Sequence, residues 1–341
     1  MTPKTILITG GAGYIGSHTC LELVLAGHNV IVVDNLKNSS RESLRRIEQQ
    51  TGRAITFYEA DILDAAALAG IFASHPDIYA VFHFAGLKVA SESIRDPLRY
   101  YEVNTGGTLA LLRCMDAANI KRILFSSSST VYGSAAGPVV AETSATAPIN
   151  PYGGSKLASE HIIQDLCRAD PAWQAMLLRY FNPIGAHPSG IIGDAPLGVP
   201  SSLTPYILQV IGGKLERLHV FGGNYNTKDG TGFRDYIHVV DVARGHLAAL
   251  DKLAGQRGCE IYNLGAGTGY SVLDIVQAME RASNCKIPYA IADRRPGDIG
   301  ELVSDSTKAA RELDWRAHLD LDDMCRDLWH WSRKNPDGYT G

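Results

Sequence analysis

The chain of 341 residues lacks several features that would assign it early to a class. Its six cysteines (Cys20, Cys114, Cys167, Cys259, Cys285, Cys325) are scattered, with no Cys-x-x-Cys pair, so neither a disulfide framework nor a zinc cluster is expected and no metal is assigned. No apolar run reaches the ~18 residues of a membrane span. Charge of one sign is also missing. With 32 Lys and Arg against 36 Asp and Glu, the net charge of −4 attracts neither nucleic acid nor an anionic membrane over the whole surface. Repeats and low-complexity tracts are absent. Met1-Thr2-Pro3-Lys4 leads straight into an apolar run, with nothing that reads as a signal peptide, and a cytoplasmic protein is expected.

What is present begins with Lys4-Thr5-Ile6-Leu7-Ile8, short enough for a buried strand, followed by Thr9-Gly10-Gly11-Ala12-Gly13-Tyr14-Ile15-Gly16. From Ser17 to Ala26 apolar residues recur at helical spacing and stop at Gly27. Strand, glycine turn and helix together predict a dinucleotide site, because bare backbone N–H groups approach a pyrophosphate at the positive end of a helix. The glycines fit either Gly11-x-Gly13-x-x-Gly16 or Gly10-x-x-Gly13-x-x-Gly16.

A second strand, His28 to Asp34, ends in a carboxylate near the ~20-residue spacing of the acid that binds the adenosine ribose. Asp34 would repel a 2′-phosphate, so NAD is expected over NADP. Further βα units follow: a strand at 55–61, a helix at 65–73, and a strand at 79–84 that runs into Ala85-Gly86. His83, at that strand's end, reads as a packed residue. A helical segment from Pro97 to about Ala118 is interrupted by Asn104 and Gly106-Gly107, and Arg122 to Ser128 is a fifth strand ending in hydroxyls. This rhythm predicts an α/β fold with a doubly wound, Rossmann-like parallel sheet and ligands at its carboxyl edge.

Tyr152-Gly153-Gly154-Ser155-Lys156 opens a helix after Pro148-Ile149-Asn150-Pro151. Tyr152 and Lys156 are four apart and share a face. An ammonium beside a phenol lowers its pKa from ~10, and reaching neutrality requires ~4 kcal/mol of differential stabilisation. The product is a base for a sugar hydroxyl whose carbon loses hydride.

On these residues the chain resembles the extended short-chain dehydrogenase/reductase superfamily and, more closely, the UDP-glucose 4-epimerases. The similar stretches run nearly end to end. They include Gly10 to His18, Asp34-Asn35-Leu36, His83 to Lys88, Ser126 to Gly133, Leu178-Arg179-Tyr180-Phe181-Asn182-Pro183, and Asp229 to His238. The resemblance implies Tyr152 as acid/base, Lys156 as its electrostatic partner, and Ser128 as the hydroxyl that bonds the sugar's 4-oxygen and the tyrosine. Residue chemistry alone leaves Ser126 to Ser129 open. It further implies an NAD site formed by Gly10, Gly13, Tyr14, Ile15, Gly16, Asp34, Asn35, Asp61, Ile62, Phe84, Ala85, Gly86, Lys88, Asn104, Ser126, Tyr152, Lys156 and Phe181. The related 4,6-dehydratases carry an Asp-Glu pair where this chain has Ser129-Thr130, so no acid is present to expel a hydroxyl.

After Pro183 the rhythm breaks into loops rich in glycine and proline, the expected start of a smaller substrate domain. A dianionic diphosphate calls for arginines, and Arg234 and Arg295 are the candidates, with Asp298 beside the uridine ribose or ordering them. Val220 and Phe221 are placed for the uracil, and Lys88, Phe181, Asn182, Ser202 and Leu203 complete the implied substrate site. Two positions depart from the family. Ser201-Ser202-Leu203 stands for Asn-Asn-Leu, and Leu302 stands where family members carry either a large aromatic or a small residue at the hexose wall.

The expected domains are 1–182 for NAD, with returning segments near 235–265, and an interleaved 183–341 for the UDP-sugar. The expected activity is an isomerase that interconverts UDP-glucose and UDP-galactose through a 4-keto sugar, with tightly bound NAD, in galactose metabolism. A UDP-N-acetylglucosamine 4-epimerase or a dual-specificity enzyme is the alternative. The family also implies a homodimer built on segments around 97–118 and 152–168.

Overall fold

The computed structural model describes residues 2–134, 137–196, 200, 202–295 and 297–339. Alternation within the apolar runs sets the architecture. In β1 (Thr5–Thr9), Ile6 and Ile8 join one buried cluster and Leu7 another. In β2 (Asn29–Asp34), Val30 and Val32 oppose Ile31 and Val33 in the same way. Strands apolar on both faces require helices on both faces, which is the parallel, doubly wound solution. On one side lie the helices Tyr14–Leu25, Glu42–Thr51 and Val239–Leu253; on the other lie Ala65–Ser74, Gly107–Ala117 and Pro151–Ala169.

With β3 (Thr56–Glu59), β4 (Ile78–His83), β5 (Arg122–Ser128), β7 (Gln174–Tyr180) and β11 (Gly258–Leu264), the large sheet has seven strands in the order β11-β7-β5-β4-β1-β2-β3. Every pairing is parallel. The order reverses at β1, beside β4, and at that point the two halves of the sheet diverge to open a crevice above the carboxyl ends.

The strand expected to return to this sheet at 235 does not do so. β10 (Phe233–His238) pairs instead with β8 (Asn182–Ile184), β12 (Gly269–Ser271) and β14 (Glu301–Ser304), and β14 pairs with β6 (Val139–Val140). Asp235 fastens the strand in place. Its buried carboxylate accepts from the N–H groups of Ala266 (2.8 Å) and Gly267 (3.0 Å), in the loop after β11, and of Ser304 (3.0 Å) at the end of β14. The chain rejoins the large layer with the Val239–Leu253 helix and β11. A two-stranded ribbon, β9 (Leu218–Phe221) on β13 (Tyr289–Ala292), lies in a third cluster with the helices Leu203–Ile211, Val272–Ser283 and Leu321–Lys334.

Candidate active site

The glycine turn is built by exclusion. Gly10 has φ +73°, and a Cβ there would lie 2.6 Å from Ala85 N; at Gly16 it would lie 2.2 Å from Gly10 O. Gly13 is under less pressure, its nearest contact being 3.3 Å from Gly10 O, so the Gly10/Gly13/Gly16 spacing describes the tight turn. Gly11 serves a different purpose, packing on Val32 beneath the turn. The backbone is thus bared at the start of the Tyr14–Leu25 helix, where an anion is favoured. This cradle, which a Cβ would fill, fits the pyrophosphate of NAD.

At the end of β2 the Asp34 carboxylate accepts from Ala12 N (3.0 Å), Leu36 N (3.0 Å) and Ser39 Oγ (2.8 Å), which ties the glycine turn to the following loop. Asn35 and Lys37 both donate to Asp61 Oδ2 at 2.9 Å. Burial opposes the Asp61 charge, but the hydrogen bonds from Leu63 N, Lys37 and Asn35 prevail and hold its carboxyl at about 2. Lys37 and Ser39 escaped the sequence reading; their only signal was a position within five residues of Asp34.

The hydroxyl-rich end of β5 is sorted residue by residue. Ser126 O accepts from Lys156 Nζ at 2.7 Å. Ser127 Oγ turns to the helix side and donates to the buried Glu160. Ser128 Oγ accepts from Thr130 Oγ1 (2.9 Å) and Thr130 N (3.3 Å), which leaves its own proton to favour the ionised form of the Tyr152 phenol. Tyr100 meets the Tyr152 ring edge-on, with centroids 6.4 Å apart.

Burial pushes the Tyr152 phenol above 10, and the Ser128 hydrogen bond only partly offsets it. Lys156 is not among the groups that act on it. The lysine spends its hydrogen bond on the Ser126 carbonyl, and its own charge is under strain: burial lowers Lys156 to about 8, with the Glu160 carboxylate pulling the other way. His83 stays out of the chemistry. Its Nδ1 meets Thr9 Oγ1 (2.8 Å), its Nε2 meets Thr108 Oγ1 (3.0 Å), and burial, with Lys156 adding to it, lowers it to about 3.

A single cavity of about 860 Å³ runs from Asp34 and Asp61 past Tyr152 to Arg234 and Arg295. All the expected site residues line it except Asn104. That side chain stands behind the wall. It accepts from Leu87 N (2.7 Å) and donates to Leu87 O (3.1 Å) and Ser155 Oγ (2.9 Å), clamping the loop after β4 to the Pro151–Ala169 helix. The helix it comes from widens into a π-turn over Tyr101–Gly106, where the sequence expected an interruption.

At the far end, Arg234 donates to Asp298 Oδ1 (2.6 Å) and to Gly300 O (3.0 Å). The Arg295 guanidinium lies 3.9 Å from the centre of the Phe221 ring, and burial lowers its pKa despite Asp298. An anion placed against this guanidinium would favour its charged form. Val220 lines the cavity from β9, and Ser202 and Leu203 from the start of their helix; Ser201 falls outside the described residues. Leu302 is buried on Phe181, with Tyr132 and Val140 behind it. Tyr206, one turn beyond Ser202, also faces the cavity and was not anticipated.

The model of the NAD dependent epimerase/dehydratase family matches residues 6–265. The UDP-glucose 4-epimerase of Bacillus subtilis is 54% identical over 334 residues, covering 98% of each chain. That of Bos taurus is 55% identical over 343 residues, with 98% of each chain covered. Among solved structures, the UDP-glucose 4-epimerase of Bifidobacterium longum in complex with NAD+ and UDP superposes with a TM-score of 0.96. It is 49% identical and covers 98% of this chain and 100% of that one.

Proposed function

The chain belongs to the NAD dependent epimerase/dehydratase family, and from that premise we propose that it is a UDP-glucose 4-epimerase, an isomerase acting on C4 of the hexose. One observation carries the reading: Ser128, Tyr152 and Lys156 meet midway along a cavity that has a glycine cradle at one end and two arginines at the other. NAD held there would supply a reversible hydride acceptor for C4, which leaves the overall reaction redox-neutral.

The protein's own residues handle the proton and the orientation. Tyr152 takes the proton of the 4-hydroxyl, with Ser128 bonded to both oxygens, and returns it to that same oxygen after the keto sugar has turned its other face to the hydride donor. Lys156 holds positive charge near the developing phenolate. Gly10, Gly13 and Gly16 admit the pyrophosphate, while Asp34, Asn35 and Asp61 take the adenosine end. Arg234, Arg295 and Phe221 hold UDP, leaving the hexose against Leu302 and Phe181 with room to turn over. Residues 1–182 and the returning β11 segment supply the cofactor half; 183–341 supplies most of the nucleotide half. With Ser129-Thr130 after the catalytic strand, nothing protonates a leaving hydroxyl.

We also propose a homodimer in the cytoplasm, serving galactose metabolism. Ile94, Leu98, Tyr101 and Leu109 are exposed along the 90–117 segment, Leu98 to 81%, and a second copy covers them. No helix among the described residues is long and apolar enough to cross a membrane. Purified protein given UDP-galactose and no added NAD is expected to yield UDP-glucose without net change at the reduced-nicotinamide band. Absence of turnover rejects the assignment, and stoichiometric NADH production replaces it with a net dehydrogenase.

A further inference from the structure

The last described residues are fastened across the loop that follows β8. Lys334 Nζ donates to Ser189 O (2.9 Å) and Asn335 Nδ2 to Gly190 O (3.1 Å). The Tyr339 hydroxyl donates to Gly193 O (3.1 Å) and accepts from Gly193 N (3.0 Å). Arg46, from the Glu42–Thr51 helix, locks the assembly from the opposite side. It donates to Asn335 Oδ1 (2.6 Å) and Ile191 O (3.2 Å), and its guanidinium lies 5.1 Å from the centre of the Tyr339 ring. The fit is tight, since a Cβ on Gly193 would lie 2.5 Å from the Trp331 ring.

The loop so fastened is also a wall of the cofactor end. Tyr14, the first residue of the helix after the glycine turn, lines the cavity and donates from its hydroxyl to Gly185 O at 2.7 Å. Asp194, next to Gly193, lines the same cavity, and both Asp194 and Tyr339 act electrostatically on the Tyr14 phenol. Ser17, one turn along that helix, also acts on the Tyr339 phenol. A continuous route therefore joins Arg46 and the C-terminal segment to the helix end that receives the pyrophosphate.

We propose that Tyr339, together with Arg46 and Asn335, is a positioning residue that holds residues 185–194 against the glycine turn and so sets how slowly NAD leaves. The inference rests on the reading of NAD as a retained cofactor. A redox-neutral cycle draws no benefit from cofactor exchange, so a wall kept shut from outside the site costs the reaction nothing. Arg46, Asn335 and Tyr339 themselves do not line the cavity. Opening the wall requires the C-terminal segment and the loop to part together, a concerted step slower than rotation of one side chain.

The test is the release rate of NAD from the full-length holoenzyme, read by fluorescence as excess etheno-NAD replaces it. Tyr339→Phe, which keeps the ring and removes both Gly193 bonds, is expected to release NAD at least fivefold faster than the unsubstituted chain. Arg46→Gln, on a different helix, is expected to do the same, which covers the case in which a C-terminal substitution fails to fold. Thermal midpoints at saturating NAD separate the alternatives: a purely structural role lowers the midpoint and leaves the release rate within twofold, and that result overturns the proposal. If the unsubstituted chain itself loses NAD within minutes, the retained-cofactor reading fails. The ratio of variant to unsubstituted release rates still decides whether the segment controls exit.

Discussion

Glu160 and Arg179 form a two-point ion pair that water does not reach. Arg179 Nε meets Glu160 Oε1 at 2.9 Å and Nη2 meets Oε2 at 2.6 Å, with side-chain exposures of 3% and 0%. Glu160 lies one turn beyond Lys156 on the catalytic helix, and Arg179 lies on β7, so the pair pins that helix to the sheet directly below Ser127. Removing one partner leaves a buried charge uncompensated, at a cost of about 3–5 kcal/mol. Arg179→Met is therefore expected to lower urea-unfolding stability by that amount, whereas Ser127→Ala, which removes one neutral donor, costs about 1–3 kcal/mol. Equal losses would show that the charge pairing is not what matters.

Tyr152→Phe removes the one oxygen that can take the 4-hydroxyl proton and leaves the ring against Tyr100. Turnover of UDP-galactose is expected to fall by about 10²–10⁴, the usual worth of a positioned acid/base. The NAD content of the purified variant stays at the unsubstituted level, because the glycine cradle and Asp34 are untouched. Parallel loss of NAD would mean that Tyr152 is needed for the cofactor rather than for the proton.

Lys156 carries a stability signature with a definite sign. Burial lowers its pKa from 10.5 to about 8. Between those values the unfolded chain binds more protons than the folded one, so the contribution of Lys156 to stability rises with pH across the window and is flat below it. At ~1.4 kcal/mol for each tenfold change, the full rise is ~3 kcal/mol. The difference in unfolding free energy between the unsubstituted chain and Lys156→Met should grow by that amount from pH 8 to 10.5. A difference that stays constant, or shrinks, would show that the ammonium is solvated in the folded protein.

Leu302 sets the hexose wall together with Phe181. Leu302→Tyr adds bulk at a residue only 4% exposed, and overpacking there costs about 1–3 kcal/mol of stability. Turnover of UDP-N-acetylgalactosamine is expected to fall at least tenfold relative to UDP-galactose when the two are assayed side by side. An unchanged ratio places the specificity wall elsewhere.

The sequence revealed the ends of the cavity more readily than its supports. Gly10, Asp34, Tyr152 and Arg295 each carry a local pattern, such as a turn, a strand end or a helical spacing, that can be read without the fold. Glu160 and Arg179 carry none; an acid mid-helix and an arginine inside an apolar strand become a pair only when the sheet places them together. Asn104 was expected at the cofactor and is found holding Leu87 and Ser155, partners that no local pattern announces. Spacing places Lys156 on the same face but says nothing of the Ser126 carbonyl that occupies its ammonium, or of the burial that raises the phenol. The second sheet was hidden as well, since nothing local to Phe233–His238 says which sheet the strand joins.

The strand order of the large sheet imposes a delay on synthesis. β7 needs β11 on its outer edge, and at ~5–20 residues per second the residues between Tyr180 and Gly258 occupy the ribosome for about 4–15 s. During that interval Gln174–Tyr180, apolar and unpaired along one side, is the outermost strand of an unfinished sheet, the kind of edge on which chains aggregate. Ribosome-bound chains arrested near residue 250 should therefore bind chaperone and be cleaved beside β7, and chains arrested after β11 has emerged should not. Equal protection of the two would mean that a segment already emerged shields the edge in advance.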